Sequence, residues 1–459
     1  MVKMGFGCRK VTPPVGSGLL GYFQTRISKG VNDDLYARSI CFDGGEKPVF
    51  VVSADFCWVE ASVVEKVKML ISERLGIEEP DVAIHGTHTH TGPITGWNKQ
   101  LIFGENIPVD EKYIEQLPVM ICNAIEDSYK FRKDVLIGFD CTEVEGISFI
   151  RRYRMKNGTV VTNPVDRSKI VEPSGDIDQT LNVMKVTDVN NKLIGIVLNF
   201  ALHPDTVGGD FISGDWPGLL VERCSKHFGC DTLFFNGAAG DINHINPYDS
   251  KTRSPEITEK IVQTLFTNIK DIVQKIECLP AEKLACSRDV FKMPKIKINE
   301  QGIEQAREWI QKYPSTNLRA IVGRAILKRA EISSDFVNND VLLLSVDRKM
   351  CAFFMAGELF SSIGLKIKDM MDFDFKWVVE NCNGVVGYIP DERAFKAAEE
   401  NKKIKGEEFP DVDVCESIGM EASYETSPIS CRLAPDVEKA ILSQFQQLLE
   451  RHNKLIARQ

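Results

Sequence analysis

No uninterrupted apolar stretch in the 459 residues reaches the roughly 18–20 needed for a helix to cross a bilayer, so no membrane span is expected. The segment Met1–Lys10 lacks the charged-then-apolar layout of a secretion signal, and a cytoplasmic location is the expectation. Basic clusters long enough to follow a phosphate backbone are also missing. With 56 Lys and Arg against 65 Asp and Glu, the net charge is −9, and nucleic acid is excluded as a partner. Among 13 cysteines, scattered and odd in number, no C-x-x-C pair occurs; reduced, mostly buried thiols are expected rather than a disulfide framework or a thiolate metal site. The G-K-[ST] of a P-loop, a G-x-G-x-x-G strand-to-helix opening and the H-E-x-x-H of zinc proteases are all absent.

What is present is the composition of a folded globular protein, 43% hydrophobic and 26% charged. Short apolar runs alternate with longer amphipathic ones, the pattern of strands feeding helices. Strands are predicted over Lys47–Cys57, Asp81–Gly86, Leu193–Ala201, Asp231–Asn236, Val341–Val346, Met350–Met355 and Lys376–Glu380. Helices are predicted around 60–75, 110–129, 216–227, 256–277 and 436–452. The charged helical stretch 299–334 carries no motif residues and reads as an insertion or cap. Internal repeats and Pro- or Gly-rich linkers are lacking. The expected fold is α/β, a mixed, largely parallel-type sheet flanked by helices, in one large catalytic domain over 1–459 with that helical insertion.

Histidine is scarce, seven in all, yet His85, His88 and His90 fall within six residues directly after a predicted strand. Open α/β sheets bind ligands outside the carboxyl ends of their strands, where loops converge. On an extended chain His88 and His90 share one face and His85 lies opposite, so His85 reads as structural. His203, the run Asn236–Asp241, Glu358 and Tyr388 also follow predicted strands. Each has a plainer reading: His203 and Tyr388 as core residues, Glu358 as an acid near the start of a helix over 359–370, and His227 and His452 as solvated helix residues. The small residues 237–240 suit close backbone approach to a ligand. Arg151 and Arg152, with Arg154 nearby, can clamp a carboxylate or phosphate or form a solvated charge run. Imidazole nitrogens with carboxylate or phenolate oxygens suit zinc, with one position left for water or substrate, and water bound there becomes a nucleophile near neutral pH.

The run Thr87-His-Thr-His-Thr-Gly-Pro93, the opening Gly5-Phe-Gly-Cys-Arg-Lys-Val-Thr-Pro13 and the segment 236–243 resemble the catalytic domain of the neutral/alkaline (non-lysosomal) ceramidase family, from the N-terminus to about Cys431. The resemblance implies a zinc ion held by His88, His203, Glu358 in Ala356-Gly-Glu-Leu359, and Tyr388 in Asn383-Gly-Val-Val-Gly-Tyr388. It implies that His90 contacts the reacting group and that Arg151 helps bind substrate. Ser423-Tyr-Glu425 is similar to a later Y-E element of the family. One departure is chemical: where the family has its nucleophilic Ser, this chain reads Gly240-Asp-Ile-Asn243, and an amide is no nucleophile. Attack by metal-activated water, with His90 or Asp241 handling protons, retains hydrolysis without the Ser. The family's C-terminal immunoglobulin-like domain has no counterpart here, which with the missing signal argues for a small soluble acyl substrate over a membrane lipid.

The resulting expectation is a zinc-dependent hydrolase, iron or manganese being the other candidate metals, that cleaves an amide bond of a small N-acyl compound. Its metal ligands are His88, His203, Glu358 and Tyr388, and His90, Arg151, Asp241 and Asn243 line the reaction centre. The alternatives are an ester hydrolase that deacylates a sugar or related metabolite, and an inactive, metal-stabilised binding protein.

Overall fold

The computed structural model describes residues 1–22, 26–96, 109–315, 317–405, 424–427 and 430–458. Strands β1 (Lys3–Lys10), β2 (Tyr36–Asp43) and β3 (Val49–Ala54) lead into helix α1 (Ala61–Leu75), strand β4 (Asp81–Gly86) and helix α2 (Glu111–Lys130). Then come β5 (Lys133–Glu143), β6 (Thr180–Asp188), β7 (Leu193–Phe200), α3 (Asp215–Phe228), β8 (Asp231–Asn236) and α4 (Ile257–Lys275). The remainder holds β9 (Leu284–Pro294), α5 (Glu300–Lys312), α6 (Leu318–Ala330), β10 (Phe336–Val346), β11 (Met350–Phe354), α7 (Ser361–Met370), β12 (Phe375–Val379), α8 (Glu392–Lys405) and α9 (Val437–Arg458).

The larger sheet has nine strands in the order β8-β7-β6-β5-β1-β2-β3-β4, with Leu279–Pro280 added beside β5. It is mixed and flanked by helices, as expected, but its parallel pairings are confined to the two ends, β7 with β8 and β3 with β4. A parallel pair needs a crossover, which α3 and α1 supply. The turns after Asp43 and Asp188 are too short for one, so β2–β3 and β6–β7 are antiparallel, as are the central pairs. The parallel share is therefore smaller than the strand-helix alternation suggested. A second sheet, β9-β10-β11-β12, is antiparallel except for β11 with β12, joined through α7.

Alternation along the strands sets the layers. In β3, Val49 and Val51 join a core shared with Leu342, Leu344, Phe354 and Trp377 of the second sheet, while Phe50 and Val52 face α1 and α2. In β10, Val341 and Leu343 turn the other way, onto Ile363, Phe445 and Leu448 of α7 and α9. Two sheets thus pack face to face with helices on both outer faces, α3 and α4 covering the β6–β8 end. Each buried large aliphatic or aromatic side chain contributes about 1.5–3 kcal/mol.

Two glycines of the opening motif have a packing role. A methyl group on Gly5 or Gly7 would lie 2.1 Å from Ser128 O or 2.0 Å from Ala124 O, so only glycine lets α2 lie this close across β1. The stretch 299–334 is helical, as its pattern suggested: Asn299 and Asn317 cap α5 and α6, whose Ala306, Ile321, Val322 and Ile326 form a small core of their own. His227 is exposed, but His452 is not the solvated residue expected, because it lies on the inward face of α9 and is wholly buried. The described cysteines are all free. Among the described residues no helix is long and apolar enough to cross a membrane.

Candidate active site

The two ends of the large sheet carry β4 and β8, and the sheet curls until they meet. Ser53 Oγ donates to Phe234 O at 2.6 Å, and Asn236 N donates to His85 Nε2 at 3.0 Å. His85 Nδ1 donates to Glu380 O at 2.7 Å, so this one ring ties the ends of β4, β8 and β12 together. Burial pushes its imidazole down to about 3, which keeps it neutral. Asn383 grips the same edge, accepting from Ile84 N at 2.8 Å and donating to Val82 O at 3.0 Å. Strand ends far apart in the sheet order thereby deliver their loops to one place.

His88 follows β4 in a left-handed backbone conformation, φ 74°, which a non-glycine residue adopts at a cost. Its Nδ1 donates to Cys57 O at 2.8 Å, which fixes the tautomer and turns Nε2 inward. There it meets His203 Nε2 at 3.2 Å and Glu358 Oε2 at 3.3 Å. Glu358 Oε2 is buried and has no hydrogen-bond donor from the described residues. Glu358 also pairs in register with Tyr388, whose hydroxyl bonds to it. Burial would lower the His88 imidazole, but Cys57 and Glu358 beside it hold it well above its ordinary value; burial and the neighbouring His88 push His203 well below.

Two imidazole nitrogens and a carboxylate oxygen that point their lone pairs at one buried spot call for a cation. Ligand bonds of 2.0–2.1 Å in a tetrahedral zinc site place neighbouring donor atoms about 3.3 Å apart, the spacing found here. A second possible grouping, Cys57 with His88 and His90, is less suited, because the His88 nitrogen nearest Cys57 Sγ is already given to Cys57 O.

Around this cluster His90 places its ring centroid 5.1 Å from that of His88 and 5.0 Å from that of His203, with Nδ1 3.4 Å from Asp205 Oδ1. Tyr22 OH donates to the same Asp205 oxygen, and Arg26 donates to His90 O. Burial would raise Asp205, but His90 and Tyr22 outweigh it and hold the carboxyl at about 2. Arg151 is buried between the rings of Tyr388 and Tyr424, each 5.3 Å from the guanidinium carbon, and donates to Glu425 at 3.1 Å and Gly240 O at 2.6 Å. Ser423, named with Tyr424 and Glu425 in the sequence motif, lies outside the described residues.

Asn243 is buried and fully engaged, donating to Asn163 Oδ1 at 2.9 Å and accepting from Ile245 N at 3.0 Å. Asp241 is not brought to the cluster. Its Oδ1 accepts from Ser361 N at the start of α7, it feels the charge of Arg152, and burial raises it to about 6. The small residues 237–240 admit another backbone rather than a ligand, since a methyl on Gly240 would meet Glu358 O at 2.4 Å. Arg154 pairs with Glu172 at the surface, the solvated reading.

Four residues escaped the sequence reading. Glu380 accepts from Ala239 N at 3.2 Å and Leu359 N at 2.8 Å and so positions both neighbouring loops; a carboxylate ending the apolar run of β12 was its only signal. Asp205 and Tyr22 form the support of His90. His244, next to Asn243, is 7% exposed with Nδ1 unpartnered among the described residues, and burial lowers it to about 4, opposed by Asp205 and aided by Arg253.

Residues 2–228 match the family described as neutral/alkaline non-lysosomal ceramidase, N-terminal. The neutral ceramidase of Drosophila pseudoobscura pseudoobscura is 25% identical over 237 residues, 48% of this chain and 32% of that protein. Neutral ceramidase 2 of Arabidopsis thaliana is 26% identical over 234 residues, 49% of this chain and 30% of its own. These matches span about a third of the relatives' own length. The crystal structure of neutral ceramidase from Pseudomonas aeruginosa shares the fold, with a TM-score of 0.69 at 14% identity over 99% of this chain and 75% of that one. With the H-T-H-T-G-P run folded into the histidine cluster, residues 2–228 belong to the neutral/alkaline non-lysosomal ceramidase family, whose fold the described chain shares.

Proposed function

We propose that the protein is a metal-dependent hydrolase that cleaves the amide bond of a small N-acyl compound, its ion held by His88, His203, Glu358 and Tyr388. The observation that carries this reading is the convergence of His88 Nε2, His203 Nε2 and Glu358 Oε2 on one buried point. The nitrogen and oxygen donors suit zinc, and iron or manganese accept the same set. When bound, such an ion polarises an acyl carbonyl and makes water a usable nucleophile near neutral pH.

The chain's own groups supply the rest. The Cys57 carbonyl keeps the His88 proton on Nδ1, so Nε2 stays a donor of electrons. His90, backed by Asp205, offers Nε2 to take a proton from the attacking water and return it to the departing amine nitrogen. Arg151, fixed by Glu425 and Gly240 and stacked on two tyrosines, orients the acyl oxygen. Asn243, with both ends of its amide occupied, lines the site without attacking. The relatives' name supports amide chemistry on an N-acyl compound, and the missing serine favours direct attack by water.

Metal analysis of purified protein, of His88→Ala and of Glu358→Gln, with a short-chain N-acyl amide and its matched ester assayed on the same samples, tests this. About one ion per chain, lost or much weakened in both variants together with at least 100-fold of the amide hydrolysis, is expected. Ester turnover alone would move the assignment to a deacylase, metal without turnover to a binding protein, and the absence of metal from folded wild type would sink the ligand set.

A further inference from the structure

A pocket of about 610 Å³ opens between the segments 164–168 and 246–253. Both walls spring from the site. Asn163, which begins one wall, receives the Asn243 amide and bonds through its N–H to Arg151 O at 2.6 Å; Asn246, on the other wall, is three residues past Asn243. His244 lies between, sensing the charge of Arg253 from the pocket and of Asp205 beside His90.

Two carboxylates and two guanidinium groups line the pocket, and they differ in how they are engaged. Asp166 is engaged by Lys169 at 3.2 Å and by Ser168, and Asp249 caps the turn through Lys251 N at 3.0 Å. Arg167 and Arg253 line the same pocket, both exposed, and among the described residues neither side chain has a carboxylate partner. The exposed ring of Tyr248 stands beside them. A hydrocarbon acyl chain gains nothing from two solvated guanidinium groups, whereas a carboxylate or phosphate can bind them in bidentate fashion. On a chain of net charge −9, two arginines with no ion-pair partner among the described residues are a local attraction for an anion.

We propose that this pocket receives the amine-side half of the substrate and that this half bears an anionic group, carboxylate or phosphate, held by Arg253 and Arg167. The inference rests on the hydrolase reading above. Water adds to the acyl carbon, the C–N bond breaks and the amine nitrogen takes the proton, so the products are a carboxylic acid and an amine that keeps its anionic group.

The test compares one fluorescent short acyl chain on ethanolamine, on glycine and on phosphoethanolamine, with the metal-loaded protein. The glycine or the phosphoethanolamine amide should exceed the neutral one at least 10-fold in kcat/KM at low salt, chiefly through KM, and the ratio should shrink at 0.5 M salt. The double variant Arg167→Ala/Arg253→Ala should bring the ratio to near one, and Arg253→Lys should keep part of it. A preference for the neutral amide, or a ratio that the double variant leaves intact, overturns the proposal. If no amide is cleaved, calorimetric binding of the same three compounds decides separately. Anion-dependent binding lost in the double variant keeps the pocket and sinks the hydrolase, and equal binding by both proteins sinks the pocket.

Discussion

His452 illustrates how a residue's chemistry depends on which side of a helix it occupies. Its Nδ1 is 2.9 Å from Ser287 Oγ and its Nε2 2.8 Å from Ser345 Oγ, deep between α9 and the second sheet. Burial, helped by the charge of Arg348, lowers the imidazole from 6.5 to about 4. The unfolded chain takes up this proton as pH falls through 6.5 while the folded one does not. The stability is therefore present above 6.5 and lost as pH drops through about 4, amounting to about 3 kcal/mol at full extent. Urea unfolding at pH 7.5 and 4.5 should show a smaller acid-induced fall in midpoint for His452→Gln than for wild type; equal falls would refute the assignment. Helical spacing does put His452 on the apolar stripe of α9, with Phe445, Leu448, Leu449 and Ile456, but its polarity invited the solvated reading. His244 and Asp205 escaped because they are polar residues in loops whose importance comes only from what the fold brings near them. His88, His203 and Glu358 stood out as candidates because each lies just past an apolar strand, but their joint reading as metal ligands came from the family resemblance.

At the scale of elements, the joining of the sheet's two ends depends on side chains more than on ladders. His85 supplies a donor to Glu380 O and an acceptor to Asn236 N, so His85→Leu leaves Asn236 N unpaired and Glu380 O with only the weak Cys382 thiol donor, a loss of about 2–4 kcal/mol. Because β4 and β8 carry the loops of the site, metal affinity should fall with stability. A thermal melt and metal titration of the variant check both, and unchanged affinity in a destabilised protein would mean that the loops hold their places without this link. The strands and helices read from apolar runs and amphipathic spacing lie within a few residues of observed ones, but β1, β2, β5, β6 and β9, which include the centre of the large sheet, and helix α8 were not read, their polar and charged residues breaking up the apolar runs. Strand direction was less so. Alternation of strand and helix implies parallel pairing only where the helix is the crossover, and the short turns after Asp43 and Asp188 reverse the chain instead. The curl that joins the ends leaves no mark in local pattern, being fixed by Ser53, His85 and Asn383 across long separations.

For the whole molecule, the proposed ligand set would join segments that the chain separates widely: His88 and His203 are 115 residues apart in sequence, and Glu358 and Tyr388 come later still. Removing the ion with a chelator should lower the thermal midpoint of the wild type by several degrees and leave His88→Ala unmoved; an unmoved wild type that has lost its metal would separate the site from global stability. Free ion at about 1,000 times its dissociation constant adds about 4 kcal/mol. In this respect the ion resembles a reversible covalent staple. It closes long loops whose entropic cost rises only with the logarithm of their length, so fastening distant segments costs little more than fastening near ones. With the proposed ion bound, folding and metal loading are coupled, and the amount of folded protein in a cell would track the supply of the ion as well as the strength of the core.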